Sequence, residues 1–190
     1  MTETTISGGT TGNGLFKVAA GGLVSGLLTP LAVPVIDQIA GSPGDFRIAL
    51  VAVPFAVLIL IVVRRCVGGP WWTALAAALV TMIAFVCAVN AAIWIDGQLG
   101  DANKLMRNIV AGLTGGFTGA AVMAIGIALL PAGPREAAAW LPMLVAGTVA
   151  GALLAFDSAL DLDLTSVLYP VWQAAVAAGL ATALRRTTIG

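Results

Sequence analysis

Residues 71–96 read WWTALAAALVTMIAFVCAVNAAIWID, and this stretch decides the fold. It holds no charged side chain before Asp96, its last residue. A helix needs about 20 residues to cross the roughly 30 Å of hydrocarbon in a bilayer. Because the stretch is continuously apolar and rich in Ala, instead of alternating in polarity, it predicts a transmembrane helix and not a strand of a membrane β-barrel.

The composition of the whole chain supports the same fold class. Of its 190 residues, 59% are hydrophobic and 9% are charged, and the mean hydropathy is +1.02. Globular proteins carry about 25% charged residues, so this chain has too little polar surface for a soluble domain. The composition predicts an all-α integral membrane protein in contact with the lipid bilayer, and no nucleic-acid partner is expected.

Five further apolar runs have the length of a membrane span, which makes six predicted helices in a single domain, residues 15–184. Residues 1–14 carry Glu3 and no basic residue, so we expect a flexible cytoplasmic tail and not the positively charged start of a secretory signal. Residues 185–190 are predicted to be a basic cytoplasmic C-terminus. The predicted spans are 15–36, 47–63, 71–95, 108–130, 137–156 and 167–184.

Three aspartates end apolar runs at nearly even spacing, which indicates an internal repeat. Asp37 ends VPVID, Asp96 ends AIWID and Asp157 ends LLAFD, at intervals of about 60 residues. A polar stretch and a second apolar run follow each aspartate, so the repeating unit is a helical hairpin. The sequence therefore predicts six transmembrane helices arranged as three consecutive hairpin repeats of about 60 residues.

Basic residues predict the orientation, because cytoplasmic loops carry an excess of Lys and Arg. With a cytoplasmic N-terminus, most of the nine basic residues fall on the cytoplasmic side. Both termini are therefore predicted to be cytoplasmic, in a plasma membrane of the bacterial inner-membrane kind. Aromatic residues near the span ends, among them Tyr169 and Trp172, are predicted to form interfacial belts. The cytoplasmic set is Lys17, Arg64, Arg65, Arg135, Arg185 and Arg186, and the outer set is Arg47, Lys104 and Arg107.

The aspartates on the predicted outer side allow two interpretations. Each of the three repeat aspartates is placed against the partial negative charge of a helix C-terminus. Asp45 and the pair Thr165 and Ser166 are better placed as N-caps of the helices that follow. In one interpretation the aspartates are polar stops that keep the hairpins from sliding into lipid. In the other they form an acidic rim that concentrates cations at an outer vestibule. The rim would consist of Asp37, Asp96, Asp157, Asp161 and Asp163.

Glycines recur at spacings of three or four residues within the first, fourth and fifth predicted helices. Such spacing lets two backbones approach closely, and between membrane helices this contact replaces the missing hydrophobic driving force. We expect these faces to form either the tightly packed interior or a seam with a second copy or another membrane protein. The glycines are Gly22, Gly26, Gly112, Gly116, Gly119, Gly147 and Gly151.

Few polar side chains lie inside the predicted spans. Asn90, Asn108 and Gln173 must each find a hydrogen-bond partner within the bundle or face water. No Asp, Glu, Lys or Arg lies near the middle of a span, which argues against a proton-coupled pump but leaves passive permeation open.

The residues needed for common catalytic chemistry are scarce. The chain has no His, which excludes Ser-His-Asp catalysis, His-ligated haem and His-based metal sites. Cys66 and Cys87 form no Cys-x-x-Cys pair, and Asp45 and Asp101 lie in loops instead of facing each other across helices. No catalytic residue, metal site or cofactor is predicted.

Two functions remain open. The first is a small permeation protein, an ion channel or a small-solute pore or transporter, with an acidic outer vestibule. The second is a non-catalytic structural or assembly subunit of a membrane complex, which docks through its Gly-rich helix faces. A polar, water-accessible path through the bundle would favour the first, and a solid apolar core would favour the second.

Overall fold

The chain folds into helices joined by short loops. The computed structural model describes residues 9–40, 44–67, 69–131, 133–162 and 166–186. The described residues form eight helices and no β-strand. The helices are α1 (Gly9–Ala40), α2 (Asp45–Val51), α3 (Val53–Val67), α4 (Trp71–Gln98), α5 (Lys104–Ala128), α6 (Ala137–Gly151), α7 (Leu153–Ala159) and α8 (Leu168–Arg186).

Four stretches of these helices are long and apolar enough to cross a membrane. A fifth is obtained when α2 and α3 are counted together, although they are bent by 54°. The prediction of an all-helical protein with helices able to cross a membrane is therefore confirmed for the described residues. The four stretches are Asn13–Ile39, Trp71–Gln98, Lys104–Ala128 and Ala137–Ala159, the last of which joins α6 and α7.

The first and last helices extend beyond the predicted spans. α1 begins at Gly9, so residues 9–14 of the predicted tail are helical. α8 ends at Arg186, which places the two arginines of the predicted basic C-terminus in its last turn. The remainder of both predicted terminal segments, residues 1–8 and 187–190, lies outside the described residues.

Two predicted spans are divided by a break. The span 47–63 is split into α2 and α3, with Ala52 between them. Pro54 explains this break, because proline has no N–H to donate to the carbonyl four residues earlier and its ring crowds that carbonyl. α6 and α7 are separated at Ala152, directly after Gly151, and glycine weakens a helix at such a point.

Six helices follow one another around a closed bundle, and one of them, α8, also packs on α3 across it. Their order is α1, α3, α4, α5, α6 and α8, and α8 packs again on α1. We name the two ends of the bundle by their residues. The aspartate end carries Asp37, Asp96 and Asp157, and the arginine end carries Arg64, Arg135 and Arg185.

α8 is enclosed by the other helices, although it is the least apolar of the long ones. Its side chains at Gln173, Val176 and Leu180 are 0% exposed. Val171 is the one large apolar side chain that α8 exposes within the described residues, whereas α1, α4 and α5 each expose several. A helix that faces protein does not have to match lipid chains, so its lower hydropathy is tolerated.

Large apolar side chains fill the half of the bundle nearer the arginine end. They come from α3, α5, α6 and α8, and each exposes at most 1% of its surface. We call this group the apolar plug, because it closes the interior from four sides. Its members are Ile59, Met123, Ile127, Met143, Leu180 and Leu184.

Candidate functional site

A cavity of about 350 Å³ opens at the aspartate end, between α4, α5, α8 and the junction of α6 with α7. Asp96 and Asn108 lie at its mouth, and Trp172 lies at its floor. On α4 the lining residues run from Asp96 inward to Phe85, a helical rise of about 16 Å. The cavity is therefore blind, since the apolar plug occupies the interior beyond it.

Glycines form the α5 and α6 wall of this cavity and let these two helices touch. A Cβ at Gly112 would overlap the carbonyl of Gly151, and a Cβ at Gly116 would overlap the carbonyl of Gly147. Gly112, Gly116 and Gly151 also line the cavity, so this close contact between the helices forms part of its wall. A Cβ on Gly147 would approach the Cβ of Ala120 to 2.9 Å.

The glycines of α1 serve a second close contact, with α8. A Cβ at Gly22 would overlap the backbone of Ala174, and a Cβ at Gly26 would overlap the backbone of Pro170. The structure thus places the Gly-rich faces of α1, α5 and α6 inside one copy of the chain. These faces are occupied there, and a partner would have to dock elsewhere.

Trp172 forms the floor of the cavity and is 7% exposed. Its ring makes an edge-to-face contact with Phe55 at 5.7 Å between centroids. A Cβ at Gly119 would lie 3.1 Å from Cζ2 of this ring, so the glycine makes room for the indole. The indole Nε1 has no hydrogen-bond partner within the described residues. A buried donor without a partner costs about 1–3 kcal/mol.

A second aromatic contact joins α4 to α8 beside the cavity. Phe85 and Tyr169 stack with ring centroids 6.0 Å apart, and both line the cavity. The prediction that Tyr169 and Trp172 belong to an interfacial belt is therefore wrong. Both residues lie in the first turns of α8, where their rings pack on α3 and α4 instead of facing outward.

The mouth of the cavity holds an ion pair. Arg107 donates from Nε to Oδ1 of Asp96 at 2.9 Å and from Nη2 to Oδ2 at 2.6 Å. Two parallel bonds of this kind fix both side chains and offset the carboxylate charge. Asn108, the next residue on α5, also lines the mouth. The polar part of the site is therefore close to neutral.

Each repeat aspartate binds a group that follows it across its own loop. Asp37 accepts from Arg47, ten residues later, and Asp96 accepts from Arg107, eleven residues later. Asp157 accepts from groups nine to eleven residues later. All three carboxylates therefore tie the end of one helix to the start of the next.

Asp157 differs from the other two because it is buried and its partners are uncharged. It accepts from the Ser166 hydroxyl, from the Val167 N–H at 2.9 Å and from the Leu168 N–H at 3.2 Å. These groups form the N-terminus of α8, where the helix dipole favours a negative charge. Ser166 also accepts from the Tyr169 N–H at 3.4 Å, which is the capping position expected for it.

The remaining acidic residues are placed in different ways. Asp161 is exposed and has a φ of 55°, in the left-handed region, whereas Asp163 lies outside the described residues. The prediction that Asp45 caps α2 is wrong, because Gly44 occupies the N-cap position without a side-chain bond. Instead, Asp45 accepts a hydrogen bond from Asn90 of α4 at 3.0 Å.

Gln173 finds its partners inside the bundle, on α1. Ser25 donates to Gln173 Oε1 at 2.7 Å, and Gln173 Nε2 donates to Thr29 at 2.9 Å. The sequence interpretation did not identify Ser25. Its position three residues after Gly22 could have shown that it lies on the same side of α1 as that glycine.

Among the described residues, no group of three or more His, Cys, Asp or Glu side chains could hold a metal ion. Comparisons of the chain with protein-family models, with curated proteins and with solved structures found no match. The cavity and its contacts are therefore the basis on which a function is inferred.

Proposed function

We propose that the chain is a small permeation protein of the carrier kind, which takes up a solute at the aspartate end while the other half of the bundle is closed. The observation that carries this proposal is the blind cavity between Asp96 and Trp172, with the apolar plug beyond it. An open channel would need a continuous wet path, whereas a carrier alternates between two closed arrangements. The closed half favours a carrier over a channel.

Broken helices support the same function. Transporter sites are commonly built by discontinuous helices, whose unwound backbone lines the binding region. Here the break at Ala152 lies between two lining residues, Gly151 and Leu154. The α2–α3 break at Ala52 packs with Phe85 beside the cavity. Bending at these two breaks would open or close the cavity without changing how the other helices pack.

The proposal includes six membrane spans arranged as three consecutive hairpins, with both termini cytoplasmic in a bacterial inner membrane. α2 and α3 would form one broken span, and α8 would form the sixth. α8 is enclosed by α1, α3 and α6, which supports the proposal that it is a membrane span despite its lower hydropathy. The three aspartate contacts across the loops support the hairpin as the repeating unit.

We propose an acidic outer vestibule with fewer uncompensated negative charges than the sequence predicts. Arg47 and Arg107 offset the charges of two rim aspartates, and Asp157 is buried as a helix cap. Attraction of cations by the described rim therefore depends mainly on Asp161, which is exposed. Such a vestibule would steer solutes weakly, and neutral solutes could enter it as well.

The test is solute entry into liposomes that contain the purified chain. After an osmotic step with nicotinamide, a neutral aromatic amide, reswelling should be faster than in protein-free liposomes and should saturate with concentration. Replacing Ala92 in the cavity wall by Trp should abolish the acceleration, because the indole would fill the cavity. The matched control is Trp at Ala91, which does not line the cavity.

The second candidate is the non-catalytic subunit of a membrane complex, favoured by the solid apolar plug. Steady conduction of monovalent cations would contradict the carrier and indicate a channel. Absence of saturable entry for nicotinamide, glycerol and urea, together with co-purification of another membrane protein, would replace the carrier by the subunit.

A further inference from the structure

The arginine ends of α1, α3 and α8 meet at Arg185. A Cβ at Gly14 on α1 would overlap Nη2 of this arginine, so the glycine leaves room for the guanidinium. The guanidinium also lies within hydrogen-bonding reach of the Cys66 thiol on α3. The start of α1 and the end of α3 therefore lie at the same level of the bundle, on either side of one α8 side chain.

Lys17 and Arg65 lie on the faces where α1 and α3 meet. Gly21 marks this contact, because a Cβ there would approach Cδ1 of Leu58 to 2.8 Å. Arg65 follows Leu58 by two helical turns, so it lies on the same face of α3. Lys17 lies one turn before Gly21, on the same side of α1. The two basic side chains thus flank the arginine end of the groove between α1 and α3, and we call this pair the basic seam.

The basic seam carries positive charge that no neighbouring acid offsets within the described residues. Lys17 and Arg65 are both exposed, and neither forms an ion pair there. Glu136 is the one acidic residue that the described part of the chain places at the arginine end. It lies directly before α6, which packs on neither α1 nor α3. The exposed charge of the seam therefore suits an anion.

Exposed apolar side chains continue from the basic seam toward the middle of the bundle. On α3 these are Ile61 and Val57, one and two turns before Arg65. On α1, Phe16 is exposed beside Lys17. The surface is thus basic at one end and apolar along its length. A phospholipid joins a phosphate to acyl chains in the same order, whereas a free phosphate would use the charged part alone.

We propose that the basic seam binds an anionic phospholipid of the surrounding leaflet. Lys17 and Arg65 contact the phosphate, and an acyl chain lies over Ile61 and Val57. Basic side chains between membrane helices are suited to anionic headgroups. The bound lipid joins α1 to α3 and stabilises their contact. This site lies at the opposite end of the bundle from the cavity, so the inference does not depend on the carrier function.

The experiment compares two lipids with the same acyl chains. The purified chain, stripped of lipid in detergent, receives an equimolar mixture of dioleoyl phosphatidylglycerol and dioleoyl phosphatidylcholine, and native mass spectrometry counts the lipids that remain bound. Only phosphatidylglycerol has a net negative charge, because choline offsets the phosphate of the other. Each basic residue near an anionic headgroup contributes about fivefold to affinity, so the chain should retain at least about tenfold more phosphatidylglycerol.

The variant Lys17→Gln with Arg65→Gln should lose most of this preference. The matched control is Lys104→Gln with Arg135→Gln, which removes two exposed positive charges away from the seam and should keep the preference. Phosphatidylglycerol should also raise the melting temperature of the unmodified chain and of the control more than that of the seam variant. If the double variant does not fold, the two single changes at the seam decide, and each should lower the preference about fivefold.

Three results would overturn the inference. Equal retention of the two lipids by the unmodified chain would show that the seam does not select an anionic headgroup. An equal loss of preference in the seam variant and in the control would show a general effect of net charge. Displacement of phosphatidylglycerol by millimolar glycerol 3-phosphate would indicate a site for a free phosphate and not for a lipid.

Discussion

Ser25 on α1 donates a hydrogen bond of 2.7 Å to Gln173 on α8, and this bond joins the first and the last helix of the chain. Both residues are buried, and Gln173 returns a bond of 2.9 Å to Thr29 one turn further along α1. The bonds lie beside the glycine contacts of Gly22 and Gly26 with α8. Close backbones bring the short serine and threonine side chains within reach of the glutamine.

Replacing Gln173 by Leu should destabilise the bundle by about 1–2 kcal/mol, because two interhelical bonds between buried groups are lost. Ser25 and Thr29 keep backbone acceptors, at Gly22 and Ser25, so neither hydroxyl is left unpaired. The measurement is unfolding in detergent. Gln98→Leu, at the exposed end of α4, is the control and should change little. Equal effects of both changes would contradict the role of the network.

Gly116→Ala should destabilise the chain by about 1–3 kcal/mol, since the added Cβ would overlap the carbonyl of Gly147 and push α5 from α6. Gly97→Ala is the matched control, because nothing lies within 4 Å of a Cβ there. Alanine is also favoured over glycine in a helix, so Gly97→Ala should be neutral or stabilising. Thermal unfolding of both variants in detergent checks this, and a tolerated alanine at Gly116 would show that the close contact is not required.

Hydropathy could predict the helices that expose apolar side chains along their length. The predicted span 71–95 and the observed helix Trp71–Gln98 nearly coincide, because both its buried and its exposed side chains are mostly apolar. The enclosure of α8 could not be predicted in this way. Its position depends on how α1, α3 and α6 are arranged around it. An enclosed helix does not need the high hydropathy by which membrane spans are recognised in a sequence.

The site was only partly accessible from the sequence. Asp37 and Asp96 stand out at the ends of apolar runs, and arginines follow them at ten and eleven residues, so these ion pairs could have been read from spacing. Trp172 gave no comparable signal. A tryptophan one turn into a helix has the same sequence context whether it faces a membrane interface or a bundle interior, and only the arrangement of the helices decides between them.

Reporter fusions test the proposed orientation. Reporters placed after Arg65, after Pro134 and after Arg186 should all indicate the cytoplasm, because the basic residues of the arginine end favour that side. Reporters within the loops after Asp37 and Asp96 serve as controls and should indicate the opposite side. A cytoplasmic signal after Arg65 and Pro134 but not after Arg186 would show that α8 does not cross the membrane, and the chain would then have five spans.

Asp157→Asn should destabilise the chain by about 2 kcal/mol, whereas Asp37→Asn should have little effect. The buried carboxylate of Asp157 accepts from Ser166 and from two N–H groups at the start of α8. An asparagine amide lacks the negative charge that the helix dipole favours. Its NH₂ group would also face these hydrogen-bond donors and could not accept from them. Asp37 pairs with Arg47 in an exposed position, where water replaces the contact. Thermal unfolding in detergent compares the two variants. A larger loss from Asp37→Asn would contradict the capping role, whereas unchanged stability with reduced cation entry in Asp157→Asn would favour the acidic rim.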